Sequence, residues 1–227
     1  MMKMALIPAV ALLTALAVPA PAAAQETERV DRTANIRAGG TLRVKNFSGH
    51  VTITAGNRGD VVIHAVRRAS RERLDHIKLD VRETSSGVTI EANKRDDNWE
   101  ERDNNVVDTE MEIQVPADVK LDVEVFSSDV RVTGVRGDQN LHTFSGDIEV
   151  ADAEGSIDAE TFSGGIELKL AQNVGGKVDF DSFSGSLRAD GGMTTQSSSR
   201  RRVTGTIGNG GNNNYHFKTF SGSVKIR

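Results

Sequence analysis

Most of the chain consists of short segments in which apolar residues alternate with polar or charged ones, as in strands with one buried face. Residues 111–115, for example, alternate methionine, isoleucine and valine with glutamate and glutamine, and Pro116 ends the segment by removing a ladder donor. Residues 68–76 carry Leu74 among charged residues, which predicts a single helical turn or a long polar loop. The alternation as a whole predicts an all-β protein.

The tripeptide Phe-Ser-Gly recurs along the chain, which indicates one supersecondary unit stacked on copies of itself. Complete copies stand at Phe47 to Gly49, Phe144 to Gly146, Phe162 to Gly164, Phe183 to Gly185 and Phe220 to Gly222, and degenerate copies begin at Phe126 and Val203. From residue 126 onward the copies begin 17 to 21 residues apart. We therefore predict a regular portion over residues 119–227, with about 18–20 residues per coil, after an irregular β portion over residues 25–118.

Aligning the copies on their phenylalanine shows which neighbouring positions are apolar. The residue three before the aromatic is apolar in every copy, and so are the residues four and six after it. A flat strand cannot place both sets on one face, so the chain must turn or bulge at Phe-Ser-Gly, where glycine allows unusual dihedral angles. Immediately before the aromatic, most copies carry a small polar residue whose side chain can hydrogen-bond between copies: Asn46, Thr143, Thr161, Ser182 and Thr219.

Two architectures satisfy this change of face. In a β-solenoid resembling a parallel β-helix, each copy is one coil, the phenylalanine lies inside, and equivalent residues stack about 4.8 Å apart. In an antiparallel β-sandwich of repeated hairpins, Ser-Gly is a two-residue loop and the phenylalanine joins the opposite, polar face. Six phenylalanines on a polar face are costly unless covered, so we favour the solenoid with these rings in its core. We expect Phe220, in the last copy, to have an aromatic neighbour on one side only.

The N-terminus predicts export. Lys3 precedes an apolar stretch over residues 4–18, and the small residues Ala22, Ala23 and Ala24 complete the pattern of a secretory signal peptide over residues 1–24. A retained membrane anchor needs about 20 consecutive apolar residues, and prolines interrupt this stretch too early. We therefore expect a periplasmic or extracellular protein, with a single β domain over residues 25–227 and no membrane span after cleavage.

The composition of the chain excludes disulfides and argues against one class of partner. The chain has no cysteine, so stability outside the cell must come from burial and ladder hydrogen bonds. The formal net charge of −4 argues against a nucleic-acid partner, because phosphates require a clustered basic surface.

The sequence contains few candidates for a catalytic or metal-binding site. The five histidines are scattered, and none stands in a nucleophile or metal-ligand motif, so we predict no catalytic, cofactor-binding or metal-binding residues. Asp129 and Asp147 follow the Ser-Gly turn, but other copies carry no acid there. The acidic loop over residues 96–105 lacks the glycine and spacing of a calcium loop and is predicted to be solvated. Within it, Trp99 either caps the core or contacts a sugar or protein partner.

Several segments together resemble the bacterial "putative adhesin" family. They are Met-Glu-Ile-Gln-Val-Pro at 111–116, Leu-Asp-Val-Glu-Val-Phe-Ser-Ser-Asp-Val at 121–130, and the repeated Thr-Phe-Ser-Gly-Asp-Ile-Glu-Val pattern. The resemblance covers residues 38–227 and includes LiaG-like proteins, whose β-helical domain has no known function. It implies a location at the cell envelope or surface and a non-enzymatic role, and it brings no catalytic residues.

We therefore expect an exported, non-enzymatic β-solenoid that presents a flat, polar surface to an envelope, glycan or protein partner. A binding or sensing module of an envelope stress system is the alternative. A glycan-acting enzyme is the third hypothesis, since carboxylates alternate outward along the coils at Glu149, Asp158, Glu160, Glu167, Asp179 and Asp181. The sequence leaves the oligomeric state open.

Overall fold

Strands make up most of the described chain, which in this computed structural model comprises residues 25–96, 99 and 105–227. The predicted signal peptide and most of the acidic loop lie outside these residues. In chain order the elements are β1 (Glu26–Asn35), β2 (Thr41–Gly56), β3 (Asp60–Ala69), α1 (Arg71–His76), β4 (Ile77–Thr84), β5 (Gly87–Arg95), β6 (Asp108–Pro116), β7 (Lys120–Thr133), β8 (Gln139–Ser145), β9 (Ile148–Ala153), β10 (Ile157–Ser163), β11 (Ile166–Leu170), β12 (Gly176–Ala189), β13 (Met193–Ser198), β14 (Arg202–Ile207) and β15 (Asn213–Ile226). The predicted all-β class is confirmed, and α1 shows that the segment around Leu74 forms the short helical turn.

The Phe-Ser-Gly copies form the coils of a parallel solenoid. Each coil has two arms that meet at Phe-Ser-Gly, and equivalent arms of neighbouring coils pair in parallel and in register. Residues three before the aromatic therefore stand opposite one another along the stack, in the order Val44, Val123, Leu141, Ala159, Phe217 and Phe180. Parallel pairing confirms the solenoid, because a hairpin at Ser-Gly would make the two arms antiparallel neighbours.

The coils are not stacked in sequence order. The C-terminal strand β15 lies between β10 and β12 and pairs in parallel with both. Strand β12 is consequently the last parallel coil, and β14 covers its first arm in an antiparallel pairing, followed by β13. The degenerate copy at Val203 lies in β14 opposite Phe180, so our interpretation of Val203 to Gly205 as a repeat copy is wrong.

At the other end the sheet divides into two branches beyond β2. The first arm of β2 pairs in parallel with β5, which pairs antiparallel with β4. The second arm pairs in parallel with β6, followed by antiparallel β3 and β1. The helix α1 joins these branches, and Leu74 packs with Ile77, Ala69 and Val107 in a small second core.

The main core fills the space between the two arms of the coils. The apolar columns predicted from the alignment line it, and Leu141, Ile148 and Val150 of one coil are almost wholly buried. At the end of the stack, Leu187 and Ala189 of β12 are only partly buried, because no further parallel coil covers that arm. Burial along the columns supplies most of the stabilisation available to a chain without disulfides.

The repeat phenylalanines lie on the outer surface, so the prediction that they fill the core is wrong. Their exposed fractions range from 41% to 56%. In the coil of Phe144 the inward residues are Gln139, Leu141 and Thr143, and the chain changes face only after the aromatic, across Ser-Gly. The small polar residue therefore occupies the inside of the corner, where the two arms approach too closely for a ring.

Candidate functional site

Glycine makes the corner of most coils tight. Gly146 and Gly164 have φ values of 153° and 154°, a backbone conformation that residues with a side chain rarely adopt. A Cβ atom on either glycine would lie 2.1 Å from a carbonyl oxygen of the neighbouring coil. The glycines are therefore required both by their backbone angles and by the close approach of adjacent coils.

Polar side chains on the inside of the corner tie the coils together. The hydroxyl of Thr161 donates to the carbonyl oxygen of Gly146 at 3.2 Å, and that of Thr143 donates to Ser128 at the same distance. In the first coil, the Asn46 amide donates to the carbonyl oxygens of Ser48 and Thr109 at 3.1 and 3.0 Å. These bonds confirm the predicted contacts between copies and turn the next residue, the phenylalanine, outward.

The outward rings form one continuous stack, which we call the phenylalanine ladder. In spatial order its members are Phe47, Phe126, Phe144, Phe162, Phe220 and Phe183. Successive ring centroids are 4.6–4.9 Å apart, and the ring planes differ by no more than 14°. This spacing is the interstrand distance of a β-sheet, so the sheet imposes the stack.

Phe220 has a ring on each side, so our expectation of a single neighbour is wrong. The insertion of β15 places Phe220 between Phe162 and Phe183. Phe183 is instead an end of the ladder, and the Arg201 guanidinium carbon lies 4.8 Å from its ring centroid. The faces of the inner rings are covered by their neighbours, and mainly ring edges meet the solvent.

A line of ionisable side chains runs beside the ladder, and we call it the charged row. It consists of the residues two before each phenylalanine, in spatial order Lys45, Glu124, His142, Glu160, Lys218 and Asp181. A groove of about 750 Å³ follows the ladder and is lined by the ladder rings other than Phe47, the inner corner residues and most of the charged row. The site is therefore an apolar ridge with a charged border.

Neighbours in the charged row form ion pairs. The Lys45 ammonium lies 2.7 Å from a Glu124 carboxylate oxygen, and the Lys218 ammonium lies 3.5 Å from Glu160. The hydrogen bond to Glu124 is the main reason that the pKa of Lys45 is raised above its ordinary value. The His142 imidazole lies 3.6 Å from the Glu160 carboxylate.

Two groups of ligand-type side chains lie close to this border. Asp158, Glu160 and His216 form one group and Asp179, Asp181 and His216 the other, with ligand atoms within 4.8 Å of one another in each. Cations of the chain already engage several of these carboxylates: the Arg202 guanidinium donates to Asp179 at 3.0 Å, and Lys218 lies beside Glu160. These pairings account for the acids as ordinary cross-strand partners on an exposed sheet.

The other outward carboxylates singled out from the sequence are also paired. On the second arm of the coils, Glu149 accepts from Arg131 at 2.8 Å, and Glu167 lies 3.0 Å from the Arg227 guanidinium. The second arm lies beyond the Phe-Ser-Gly corner, so these two residues are separated from Glu160 on the first arm. The carboxylates named for a glycan-acting enzyme are therefore divided between the two arms, with Glu149 and Glu167 apart from the acidic residues of the first arm.

The acidic residues after the turn have a structural role. The Asp129 carboxylate accepts from the backbone N–H of Asp147 at 2.9 Å, and the Asp147 carboxylate accepts from that of Gly165 at 2.7 Å. Each carboxylate thus links one coil to the next and satisfies a backbone donor near the corner.

Trp99 packs against the protein itself. Its indole ring stacks on the His76 imidazole with centroids 4.4 Å apart, and its backbone N–H donates to the Asp96 carbonyl at 3.0 Å. These contacts place the half-buried ring beside the end of α1, in the irregular β portion. The structure thus does not bring Trp99 into the groove beside the ladder.

The sequence did not lead us to predict the ladder and the charged row as a surface. The signal was present in the parity of the repeat, because the phenylalanine shares its face with the charged residue two before it. The small polar residue shares its face with the apolar residue three before the aromatic. If the alternation of the first arm is continued up to the phenylalanine, it predicts that the ring lies outside.

Comparison with known proteins agrees with this architecture. Residues 119–227 match the model of the Toastrack DUF4097 family. A crystal structure described as a "putative cell adhesion protein" from Clostridium sporogenes ATCC 15579 is similar at a TM-score of 0.65 and 9% identity, covering 88% of this chain and 99% of that one. A "putative adhesin" structure from Bacteroides fragilis NCTC 9343 matches at a TM-score of 0.32 and 12% identity, covering 88% and 97%.

The similarity to the Clostridium sporogenes structure shows a shared fold. No match was found among curated proteins. Within the described part of the chain, no helix is long and apolar enough to cross a membrane.

Proposed function

We propose that the Toastrack DUF4097 domain of residues 119–227, together with the N-terminal strands, is an exported, non-enzymatic module of adhesion type whose contact surface is the phenylalanine ladder. The observation that carries the proposal is the ladder itself: six rings, each 41–56% exposed, stand in one stack on the outside of the solenoid. Contiguous exposed apolar surface on a folded protein marks interaction sites.

The rings are not needed to complete the core. Buried columns of Val, Leu and Ile already fill the space between the arms, while the ladder rings contact mainly one another. Exposed aromatic residues are a solubility liability, and their presence in all six coils is accounted for by a contact that covers them. The sheet also holds the rings in a preorganised array, which lowers the entropic cost of binding.

Three observations support an adhesion-type role at the cell envelope. The Clostridium sporogenes protein with the same fold is named for cell adhesion. The first 24 residues have the pattern of a secretory signal peptide. The ion-paired carboxylates on both arms are accounted for as cross-strand partners, which favours a binding role over glycan chemistry. The ladder replaces the flat, polar surface expected from the sequence as the proposed contact area.

Binding to envelope preparations of the source organism tests the proposal. We expect Phe144→Ser combined with Phe162→Ser to weaken the binding of purified protein roughly tenfold or more, because central aromatic residues dominate contact energies. Arg131→Gln combined with Glu149→Gln, which removes an exposed ion pair on the second arm, is the matched control and should bind normally. Unchanged binding by a correctly folded ladder variant would contradict the proposal.

Export has its own test. Intact-mass measurement of protein recovered from the periplasm or the medium should show a chain that begins at Gln25. A recovered mass that retains residues 1–24 would refute cleavage at this position.

A further inference from the structure

The charged row is self-complementary in one orientation. Along the ladder, Lys45 and Glu124 at one end and Lys218 and Asp181 at the other each place a positive charge before a negative one, and between them the His142 imidazole lies 3.6 Å from the Glu160 carboxylate. Because the row has six members, its two ends carry opposite charges. An alternating row of even length matches its own reverse, and it mismatches a copy that runs in the same direction.

We propose that the partner of the phenylalanine ladder is a second copy of this chain, bound with the two ladders antiparallel. The two-fold axis lies across the ladder, between the coils of Phe144 and Phe162, and sets ladder on ladder and row on row. Lys45 then faces Asp181 of the second copy, Glu124 faces Lys218, and His142 faces Glu160. The inference rests on the proposed function, since it names the occupant of the same surface.

The spacing of the ladder favours such a partner. Ring edges recur every 4.6–4.9 Å over six coils, so only a surface with the same repeat can match all of them. A second ladder has this repeat by construction, whereas an α-helix advances about 5.4 Å per turn and falls out of step within a few rungs. A closed, isologous pair also covers both apolar ridges at once and leaves neither exposed.

The row is accessible enough to bridge two copies. The side chains of Lys45, Glu124 and Lys218 are 50%, 56% and 59% exposed. Their ion-pair partners lie on adjacent coils of the same chain, so the alternation of charge also stabilises the single molecule. A test must therefore separate contacts within a chain from contacts between chains.

Charge reversal at Glu124 and Lys218 separates contacts within a chain from contacts between chains. Within one chain these residues lie three ladder steps apart, and each pairs with a different neighbour: Glu124 with Lys45, and Lys218 with Glu160. Across the proposed interface they face each other. Glu124→Lys or Lys218→Glu alone places like charges opposite, while the double reversal restores opposite charges between copies and leaves both contacts within the chain repulsive.

Sedimentation velocity of protein purified after expression of the full chain measures the outcome. We expect a dimer for the native sequence, a dissociation constant raised roughly tenfold or more by each single reversal, and recovery to within about threefold by the double reversal. Phe144→Ser combined with Phe162→Ser should abolish the dimer. Circular dichroism of each variant checks that the fold is retained.

Several results would overturn the inference. They are a native protein that stays monomeric at high concentration, a double reversal weaker than either single one, or a dimer that survives loss of the two central rings. The proposed function is judged separately. If the native protein is monomeric but the ladder variant loses envelope binding, the ladder is a contact surface for another partner and only the second-copy inference fails. If the native protein is monomeric and envelope binding is also unaffected, both fail.

Discussion

The two faces of the solenoid wall use phenylalanine in opposite ways. Phe217 and Phe220 lie three residues apart on β15, yet Phe217 is fully buried between the arms and Phe220 is 45% exposed on the ladder. Phe217 stands opposite Ala159 and Phe180 in the interior column, whereas Phe220 contacts the rings of Phe162 and Phe183 outside. The parity of a position, and not the residue type, therefore decides whether an aromatic ring stabilises the fold or forms a surface.

Truncation of the interior ring should have the largest effect. We expect Phe217→Ala to lower the free energy of unfolding by about 3–5 kcal/mol, since it leaves a cavity in a packed core. Chemical denaturation measures the loss, and Phe220→Ala on the same strand is the matched control. Equal losses for the two variants would break the distinction between the faces.

The corner that separates the faces can be tested at its glycine. We expect Gly164→Ala to destabilise the protein by about 3 kcal/mol, because its Cβ would meet the Gly146 carbonyl oxygen and its φ is unfavourable for alanine. Gly191→Ala is the control, since a Cβ there has nothing within 4 Å. Thermal unfolding should show a lowered midpoint for the first variant alone, and a normal midpoint for Gly164→Ala would show that the coils can separate at the corner.

Stability losses along the ladder should depend on position. Phe220→Ala removes a ring stacked on both sides and should lower the free energy of unfolding by about 1–2 kcal/mol. Phe183→Ala at the end of the ladder removes one stacking contact fewer, and one such contact contributes about 0.5–1.5 kcal/mol, so its loss should be smaller. Urea denaturation of the two variants measures the difference between their free energies of unfolding. A larger loss at Phe183 than at Phe220 would contradict the observed order of the coils.

Ion pairs outside the wall should have the smallest effect. Two nitrogens of the Arg68 guanidinium lie 2.8 and 3.1 Å from the Glu110 carboxylate oxygens, and this hydrogen bonding lowers the pKa of Glu110 from its ordinary value of 4.5. Because the pKa is lowered in the folded state, the ion pair's contribution to stability is present above the ordinary pKa of 4.5. It is lost as the pH falls through the lowered pKa of the folded state.

Arg68→Gln should therefore raise the pKa of Glu110 toward 4.5, while the stability at neutral pH changes little, because exposed pairs contribute only modestly. Carboxyl NMR titration of the native protein and the variant measures the shift. Titration curves that coincide would show that the guanidinium does not act on Glu110 in solution.

The strand class, the repeat, the inward columns and the place of the corner could all be predicted from the amino-acid sequence. Alternation with a period of two and a glycine at a fixed offset are local features, and they act the same way whatever the neighbouring coil is. For this reason Leu141 and Ile148 could be assigned to the core and Gly146 to the corner before any tertiary contact was known.

Tertiary structure alone decided which coils are neighbours and what the phenylalanines face. All coils present similar parallel edges, so nothing in the spacing specifies that β15 enters between β10 and β12. The side on which the rings lie depends on the room inside the corner, where backbones approach closely enough to admit Thr143 and Thr161 but no ring. That space exists only once two arms and two coils are packed together, and it converts a predicted core stack into an exposed ladder.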